Sequence, residues 1–246
     1  HLEELVKKRT QALSVTNEVI EHLLIQRNEL ITRIGHDLKT PLTPLYAFLP
    51  YLQKKETDEE KKEILSVLVE DVTVLKKLVE RILKLSHITP DSISGTETRS
   101  DLYQISVEVL GNHSYMIEQK DITVVNNIRA GTYFRTSHFH AMTMLDNLVS
   151  NAILYNKDNG MITLSCEKEG KLQVISVEDT GIGLTKDQTE RVFDDFYKAD
   201  ISRHDHNVHG LGLSIVRRII SLYGGTVTAK SPGLGLGSNF QIYLAG

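Results

Sequence analysis

The stretch RIGHDLKTPLTPL, residues 33–45, carries an amphipathic helical pattern together with a histidine, an aspartate and two prolines. At about 100° per residue on a helix, the apolar residues of this stretch fall on one stripe. They are Ile34, Leu38, Leu42 and Leu45. His36 falls on the opposite side, with Asp37 beside it and Thr40 one turn further on. The pattern therefore predicts a solvent-facing imidazole next to a carboxylate.

Two prolines follow this histidine closely. Pro41 and Pro44 each remove a backbone donor, so we expect the helix to bend there and to leave carbonyls near Asp37 and Thr40 unpaired. The neighbouring carboxylate is able to hydrogen-bond one ring nitrogen of His36 and leave the other nucleophilic. A solvated surface residue is nevertheless the commoner interpretation of a lone histidine. The decision depends on whether the chain also carries a phosphate donor.

The flanking sequence predicts a helical hairpin. Heptad-like apolar residues indicate a coiled-coil-like lead-in over residues 1–30, and a second apolar stripe follows the polar bend KKETDEEKK at 54–62. The two stripes comprise Leu2, Val6, Leu13, Ile20, Leu23, Leu30 and Ile34, then Ile64, Leu65, Leu68, Val72, Leu75, Val79, Ile82 and Leu85. We expect residues 31–88 to form a hairpin that pairs with a second copy into a four-helix bundle, because its apolar faces have little else to cover them.

The remaining sequence predicts a second domain. Residues 89–100 are polar with proline and glycine and are typical of a linker, and residues 101–246 mix strands and helices without regular alternation. We expect strands at 121–128, 161–168, 171–179, 225–231 and 239–245, with helices at 137–155 and 211–224. This order favours an α+β two-layer sandwich, with helices on one face of a mixed sheet.

Composition limits the classes of function. The chain has 246 residues, of which 40% are hydrophobic, and its net charge of −4 gives no sign of a nucleic-acid binder. The single cysteine excludes an intramolecular disulfide and fits a reducing compartment. No apolar run approaches the roughly 20 residues that span a bilayer. We expect a cytoplasmic chain, cut from a longer one, that would reach a membrane only through segments absent from it.

The stretch MLDNLVSNAILYN, residues 144–156, carries polar residues at every fourth position. Asn147, Asn151 and Tyr155 line one side of the predicted helix, opposite apolar residues. The apolar residues are Ala141, Leu145, Leu148, Val149 and Ala152. A single asparagine oxygen, completed by waters and phosphate oxygens, suits Mg²⁺. Taken alone, the same pattern is equally typical of a polar outer face.

Two glycine-containing stretches add nucleotide chemistry. In VEDTGIGL, 177–184, Asp179 ends an apolar strand, and such a carboxylate is able to accept a hydrogen bond from an exocyclic amine such as that of adenine. In HGLGLSIV, 209–216, glycines open a helix whose unpaired amides and positive dipole end favour an anion. The polar segment between them, residues 193–210, is typical of a lid over a ligand.

Taken together, GHDLKTPL, NLVSNAILYN, EDTGIGL, VFDDFYKAD and HGLGLSIV occur in this order along nearly the whole chain from about residue 25. Each is weak alone, but the ordered set resembles the signature motifs of sensor histidine kinases. The resemblance implies a dimerising phosphoacceptor hairpin followed by an ATP-binding domain of the Bergerat type. It also implies ATP and Mg²⁺ as cofactors, and a response-regulator receiver domain as the partner that accepts the phosphoryl group.

The resemblance gives each matching residue a role. In the hairpin, His36 matches the phosphoacceptor, Asp37 the acidic neighbour thought to act as its base, and Thr40 the residue tied to phosphatase activity. In the second domain, Asn151 matches the Mg²⁺ ligand and Asp179 the adenine-reading carboxylate. The other matching positions are Asn147 near the phosphates, Tyr155 beside the nucleotide, Gly181, Gly183, Gly210, Leu211 and Gly212 in the glycine motifs, Phe193 and Phe196 in the aromatic motif, and Lys198 where arginine is frequent.

Several positions depart from the family pattern. Gly35 replaces a usual serine, which on an exposed helix costs about 1 kcal/mol of helix propensity relative to alanine. Leu154 replaces a frequent phosphate-reaching lysine, Val208 replaces a glycine of the last motif, and Lys198 lacks the fork of arginine. We expect slower handling of the γ-phosphate. The departures leave open an alternative function, a nucleotide-responsive interaction module without phosphoryl transfer.

The remaining histidines form no clear metal site. His204, His206 and His209 have a spacing that is not diagnostic, and we interpret them as structural or solvated residues. His138 and His140 lie about 200° apart on a helix, so they are a poor ligand pair.

Overall fold

The computed structural model describes residues 2–86, 88, 99–195, 197–198 and 210–245. The chain divides into two compact units, residues 1–87 and residues 88–246. The division falls within the segment where the sequence predicts the hairpin to end and the linker to begin.

The N-terminal unit is a hairpin of two helices, α1 (Leu2–Lys55) and α2 (Glu59–Ser86). The turn between them is stabilised by its own side chains. The carboxylate of Glu56 accepts hydrogen bonds from the amides of Thr57 and Asp58, and these bonds lower its pKa, that from Asp58 most strongly. Asp58 in turn accepts from the amides of Glu60 and Lys61, which caps the start of α2. The predicted bend is confirmed.

Helix α1 runs without interruption through Pro41, Pro44 and Pro50. The Thr40 hydroxyl donates to the His36 carbonyl at 3.0 Å, and the Thr43 hydroxyl donates to the Lys39 carbonyl at 2.8 Å. Each proline still removes the amide that would have bonded four residues back. The helix therefore continues through the prolines despite these losses.

Gly35 differs from the expectation. It is buried, and a Cβ at this position would collide with the Leu83 side chain of α2. The position is not on an exposed helix face, so the expected propensity cost is not the main consequence. The missing side chain lets α1 and α2 approach closely, one residue before His36.

The C-terminal unit contains helices α3 to α7 and strands β1 to β7. In chain order they are β1 (Ser100–Asp101), α3 (Leu102–Asn112), α4 (Ser114–Gln119), β2 (Thr123–Asn126), β3 (Tyr133–Phe134), α5 (His138–Leu154), β4 (Met161–Glu169), β5 (Leu172–Asp179), α6 (Lys186–Arg191), α7 (Gly212–Leu222), β6 (Thr226–Lys230) and β7 (Ser238–Ala245). The main sheet has the order β2-β4-β5-β7-β6, and β1 pairs with β3 separately. Since β2 and β4 are parallel and the other pairs are antiparallel, the predicted mixed sheet is confirmed.

The predicted strands and the two long helices of this unit are present within a few residues of their expected bounds. The sequence interpretation assigned nothing to α3, α4, α6 or the β1–β3 pair. Helix α3 has a readable start, because the Asp101 side chain accepts from the Gln104 amide. Helix α6 has a capping box formed by Thr185 and Gln188. These two local signals were missed.

The core lies between the sheet and the helices α3, α5 and α7. Strand register places side chains in rows on one face of the sheet, and one such row joins Leu164, Val177 and Phe240. The apolar side predicted for α5 is confirmed, since its five residues are all buried. Full burial of such residues contributes about 1.5–3 kcal/mol each for the larger side chains.

A hydrogen-bonded cluster joins the start of α5 to the end of α7. The Tyr223 hydroxyl accepts from the Ser137 amide at 3.0 Å and lies 2.8 Å from Nδ1 of His140. The hydroxyl donates to Nδ1 or accepts from it, according to the tautomer of the ring. Burial lowers the pKa of His140 and favours the neutral ring.

Candidate active site

Asp179 is the last residue of β5 and is buried, with 5% of its surface exposed. Its Oδ1 accepts from the Gly181 amide at 2.8 Å and from the Ser238 amide at 3.3 Å, and its Oδ2 accepts from the Ser238 hydroxyl at 2.5 Å. Burial raises the pKa of the Asp179 carboxyl, while the bonds from Ser238 and Gly181 oppose that rise. The result is an oriented carboxylate in a dry site.

Ser238 is a site residue that the sequence interpretation missed. It begins β7, directly opposite Asp179 in the strand register. The two residues are 59 positions apart in the chain. Local sequence gives no signal for such a contact, since it follows from the pairing of β5 with β7.

The glycines after Asp179 are required by close backbone contacts. A Cβ on Gly181 would collide with the Tyr155 carbonyl, and Gly183 has φ 64° and lies against the Gly233 carbonyl. The loop before β7 also holds the turn that follows Asp179. In this loop the Gly235 amide donates to the Ile182 carbonyl at 2.7 Å, and the Gly237 amide donates to the Gly181 carbonyl at 3.1 Å. The turn is therefore held from both sides.

Helix α5 presents Asn147 toward the start of α7. Nδ2 of Asn147 donates to the Thr143 carbonyl at 2.7 Å, so its Oδ1 points the other way. That oxygen lies 2.8 Å from the place where a Cβ on Gly212 would be. Asn151 lies one turn later and is partly exposed. Among the described residues, its side-chain amide makes no hydrogen bond and remains available to a ligand.

The C-terminal end of α5 is fixed by Lys120, which directly follows α4. Nζ of Lys120 donates to the carbonyls of Ile153 at 2.9 Å and Leu154 at 2.8 Å, and lies 3.4 Å from that of Asn156. Tyr155 follows this helix, and its carbonyl accepts from the Ile182 amide at 3.0 Å. Lys120 therefore fixes the end of α5, and the Tyr155 carbonyl joins that end to the turn that carries Gly181. The sequence interpretation missed it too.

The second glycine motif opens α7. Gly210 has φ 67°, Leu211 is fully buried, and Gly212 begins the helix. No side chain caps this helix start. Its first amides keep the donor capacity that the sequence predicts for a phosphate.

The aromatic motif is described in part. Phe193 is buried and its ring meets that of Phe240 edge-on, with centroids 6.3 Å apart. Lys198 is exposed. Phe196 and residues 199–209, which include Val208 and the three clustered histidines, lie outside the described residues.

In the hairpin unit, His36, Asp37 and Thr40 are all exposed, as predicted. The His36 ring and the Asp37 carboxylate, both within the described part of the chain, make no hydrogen bond with each other. His36 is thus an accessible imidazole on a helix, with its carbonyl engaged by the Thr40 hydroxyl.

The Asn151 side chain fits the Mg²⁺ of a magnesium nucleotide. The described ranges contain no group of three or more histidine, cysteine, aspartate or glutamate side chains that would hold a metal ion. Mg²⁺ bound to a nucleotide needs few protein ligands, because waters and phosphate oxygens supply the rest. The available amide of Asn151 meets that requirement.

Two family models match the chain. Residues 26–91 match the His Kinase A (phospho-acceptor) domain, and residues 137–245 match the histidine kinase-, DNA gyrase B- and HSP90-like ATPase. The sensor histidine kinase YclK of Bacillus subtilis is 31% identical over 94% of this chain and 49% of its own length. The sensor histidine kinase WalK of the same organism is 28% identical over 84% of this chain and 34% of its own length.

Solved structures show the same fold. Full-length ShkA, crystallised in complex with AMPPNP, has a TM-score of 0.68 at 20% identity and covers 88% of this chain and 45% of its own. The Acinetobacter baumannii histidine kinase AdeS has a TM-score of 0.58 at 23% identity and covers 85% of this chain and 97% of its own.

The site and the matches agree on the class of protein. The chain belongs to the sensor histidine kinase family, with a phosphoacceptor hairpin followed by an ATPase domain. It spans about half the length, or less, of the curated relatives that it matches. None of the helices in the described ranges has the length and apolarity to cross a membrane.

Proposed function

We propose that this chain is an ATP-dependent protein-histidine kinase that phosphorylates its own His36. The observation that carries the proposal is the presence in one chain of an exposed histidine in a phosphoacceptor hairpin and a buried, oriented Asp179 in an ATPase domain. Acceptor and donor machinery therefore occur together. ShkA, which shares the fold, was crystallised with the ATP analogue AMPPNP, which supports nucleotide binding at this site.

The nucleotide is held by groups at one end of the sheet. Asp179 accepts the exocyclic amine of adenine, and Gly181 and Gly183 let the backbone approach the base. Asn151 holds Mg²⁺, which neutralises charge on the phosphates when it is bound. Asn147 and the first amides of α7 face the phosphate chain, and Phe193 covers the apolar side of the site.

The transfer itself requires positioning more than covalent chemistry by the protein. A ring nitrogen of His36 attacks the γ-phosphorus, the bond from that phosphorus to the ADP oxygen breaks, and ADP leaves. Asp37 orients the ring and accepts the proton that the attacking imidazole releases. The exposure of His36 leaves this nitrogen accessible to the donor.

Incubation with γ-labelled ATP and Mg²⁺ tests the proposal. Wild-type protein should incorporate acid-labile label, and His36→Gln should not. His22→Gln is a matched control, because His22 is another exposed histidine on α1. Label that persists in His36→Gln contradicts the assignment of the acceptor. Nucleotide binding without label in wild type favours the interaction-module alternative.

We further propose that the phosphoryl group passes from His36 to an aspartate of a response-regulator receiver domain, and that the chain also dephosphorylates that regulator. Thr40 would place the attacking water, since its hydroxyl lies one turn beyond His36 on the same exposed face. Thr40→Ala should slow dephosphorylation of a phosphorylated receiver by at least about tenfold, the scale of removing one positioned polar group. Thr43→Ala removes an equivalent hydroxyl on the same helix and should have no such effect.

A further inference from the structure

A concavity lies in the C-terminal unit, at the end of β5 opposite to Asp179. Its volume is about 430 Å³, and its lining includes Arg99, Tyr133, Arg135, Lys168 and Gln173. This size is within the range of about 300–1,000 Å³ that is usual for small-molecule sites.

This concavity is separate from the nucleotide site. Lys168 pairs with Gln173 in the strand register, at the far end of the face where Ile162 pairs with Asp179. Gln173 and Asp179 are six residues apart on β5, which is roughly 20 Å at the rise of a strand. A ligand bound in one site therefore does not contact the other.

The concavity collects positive charge in a protein whose net charge is −4. Two guanidinium groups and one ammonium group line it, and no acidic side chain is among its described lining residues. Arg135 also engages another group of the protein. The charge of the site therefore rests most directly on Arg99 and Lys168, whose side chains are exposed.

The two arginines are placed by strand pairing. Ser100 pairs with Phe134 and Asp101 pairs with Tyr133 in an antiparallel register, so Arg99 and Arg135 directly adjoin the Ser100–Phe134 pair. Both arginines line the cavity. Like charges that line one cavity repel each other, and an anion bound among them would reduce that repulsion.

The frame around these cations is fixed by hydrogen bonds. Gln173 is buried, and its amide donates to the Tyr133 carbonyl at 3.0 Å. The Ser100 hydroxyl donates to the Thr136 carbonyl at 2.7 Å, which fastens the β1–β3 pair beside the cavity. The charged groups are thus attached to a rigid support, which lowers the entropy cost of binding.

We propose that this concavity binds a small phosphate monoester. A phosphate dianion carries two charges and three terminal oxygens, which allows the Arg99 guanidinium group and the Lys168 ammonium group to bind it together. A single carboxylate would satisfy fewer of these donors. The Tyr133 ring, 53% exposed at the same cavity, offers an aromatic surface to the organic part of the ester. The inference is independent of the kinase activity proposed above.

Calorimetric titration with phenyl phosphate tests this site in the full chain. Arg99→Gln and Lys168→Gln should each weaken binding by at least about tenfold, equivalent to about 1.4 kcal/mol. Lys171→Gln removes an exposed lysine from the adjoining β4–β5 turn, outside the lining, and should leave binding unchanged within about twofold. Asp179→Asn should also leave it unchanged, because that residue belongs to the nucleotide site. Absence of binding to wild type, or equal losses in Lys171→Gln and Lys168→Gln, overturns the proposal.

Two further ligands define the chemistry. Benzoate should bind at least about tenfold more weakly than phenyl phosphate, since it carries one charge in place of two. Inorganic phosphate should also bind more weakly than the ester, and Tyr133→Ala should remove that difference. Equal binding of benzoate and phenyl phosphate contradicts a phosphate site. Equal binding of inorganic phosphate and phenyl phosphate contradicts an ester site and assigns the free ion instead.

The thermal stability of the unliganded protein gives a second, independent measurement. Because the cations that line the cavity repel each other, Arg99→Gln should keep or raise the melting temperature of the C-terminal unit. Phenyl phosphate should raise the melting temperature of wild type more than that of Arg99→Gln. A lower melting temperature in unliganded Arg99→Gln contradicts the first expectation. An equal rise with phenyl phosphate in both proteins, or no rise in wild type, contradicts the second.

Discussion

At the scale of single residues, Asp179 is a buried carboxylate whose folded-state pKa is raised, chiefly by burial. A carboxyl with a raised folded pKa binds its proton more tightly in the folded state, so its contribution to stability falls as pH rises through that pKa. At neutral pH the ionised group therefore costs stability. Its charge is retained, in our interpretation, because the nucleotide requires an acceptor at this position.

Asp179→Asn should separate these two effects. Asparagine keeps an acceptor oxygen for the Gly181 and Ser238 amides and donates to the Ser238 hydroxyl oxygen. We expect ATP affinity to fall at least about tenfold, by loss of about 1.4 kcal/mol or more. The melting temperature should stay equal or rise. Calorimetric titration and a thermal melt measure both, with the exposed Asp158→Asn as the control. Undiminished ATP affinity would refute the role of Asp179.

His140 gives a prediction about pH. It is buried, it is hydrogen-bonded to the Tyr223 hydroxyl through Nδ1, and burial lowers its pKa from the usual value for histidine. The unfolded state therefore binds a proton first as pH falls, so stability decreases below about pH 6.5. Chemical unfolding at pH 7.5 and 5.5 should show a smaller loss for His140→Asn, which keeps an acceptor without titrating. The exposed His138→Asn should behave as wild type. Identical pH dependence in His140→Asn and wild type would contradict the prediction.

Sequence reasoning found the site residues that follow from a local pattern and missed those whose partners lie far away in the chain. Asn147, Asn151 and Asp179 were found from spacing and strand ends, and the structure places them as those patterns predict. Ser238 and Lys120 were not found, because each acts on a group far away in the chain. Gly35 was interpreted as exposed because the sequence does not indicate how closely α1 and α2 approach. The prediction of site residues from sequence is therefore limited by contacts between elements, which the types of residue alone do not indicate.

At the scale of elements, the position of α5 depends on contacts at both of its ends. Ser137 and Tyr223 fix its start, and Lys120 fixes its end. The amphipathic pattern predicted this helix and its buried side. Neither end contact was predictable. Lys120 directly follows α4, a helix that the sequence interpretation did not assign, and Tyr223 directly follows α7.

Lys120→Met should loosen the end of α5 while keeping the length of the side chain. Hydrogen bonds to charged groups contribute about 1.5–3 kcal/mol, and because Lys120 is partly exposed we expect a loss near 1–2 kcal/mol of unfolding free energy. ATP affinity should also fall, because Asn151 and Tyr155 lie at the C-terminal end of α5, which Lys120 fixes. Denaturant unfolding and nucleotide titration measure these effects, with the exposed Lys157→Met as the control. Wild-type stability in Lys120→Met would show that the carbonyls find other donors at no cost.

At the scale of the whole molecule, the described side chains of the two apolar stripes predicted in the hairpin are only partly buried. Val72 and Val79 of α2 are buried, whereas Leu68 and Leu75 have 42% and 47% of their surface exposed. These four positions follow a heptad pattern. Leu38 and Leu45 of α1, also seven residues apart, are each 46% exposed. One hairpin therefore covers only part of its own apolar surface, which a second copy would complete.

This incomplete burial predicts a homodimer that α2 substitutions dissociate. In light scattering after gel filtration, wild type should have twice the chain mass of 27.7 kDa. The double variant Leu68→Lys and Leu75→Lys should be monomeric, because burying two lysines without partners costs several kcal/mol. Glu63→Lys with Glu70→Lys places the same side chains at the same spacing on an exposed polar face and should remain dimeric. A monomeric wild type, or equal dissociation of both double variants, would mean that this apolar face is not the dimer interface.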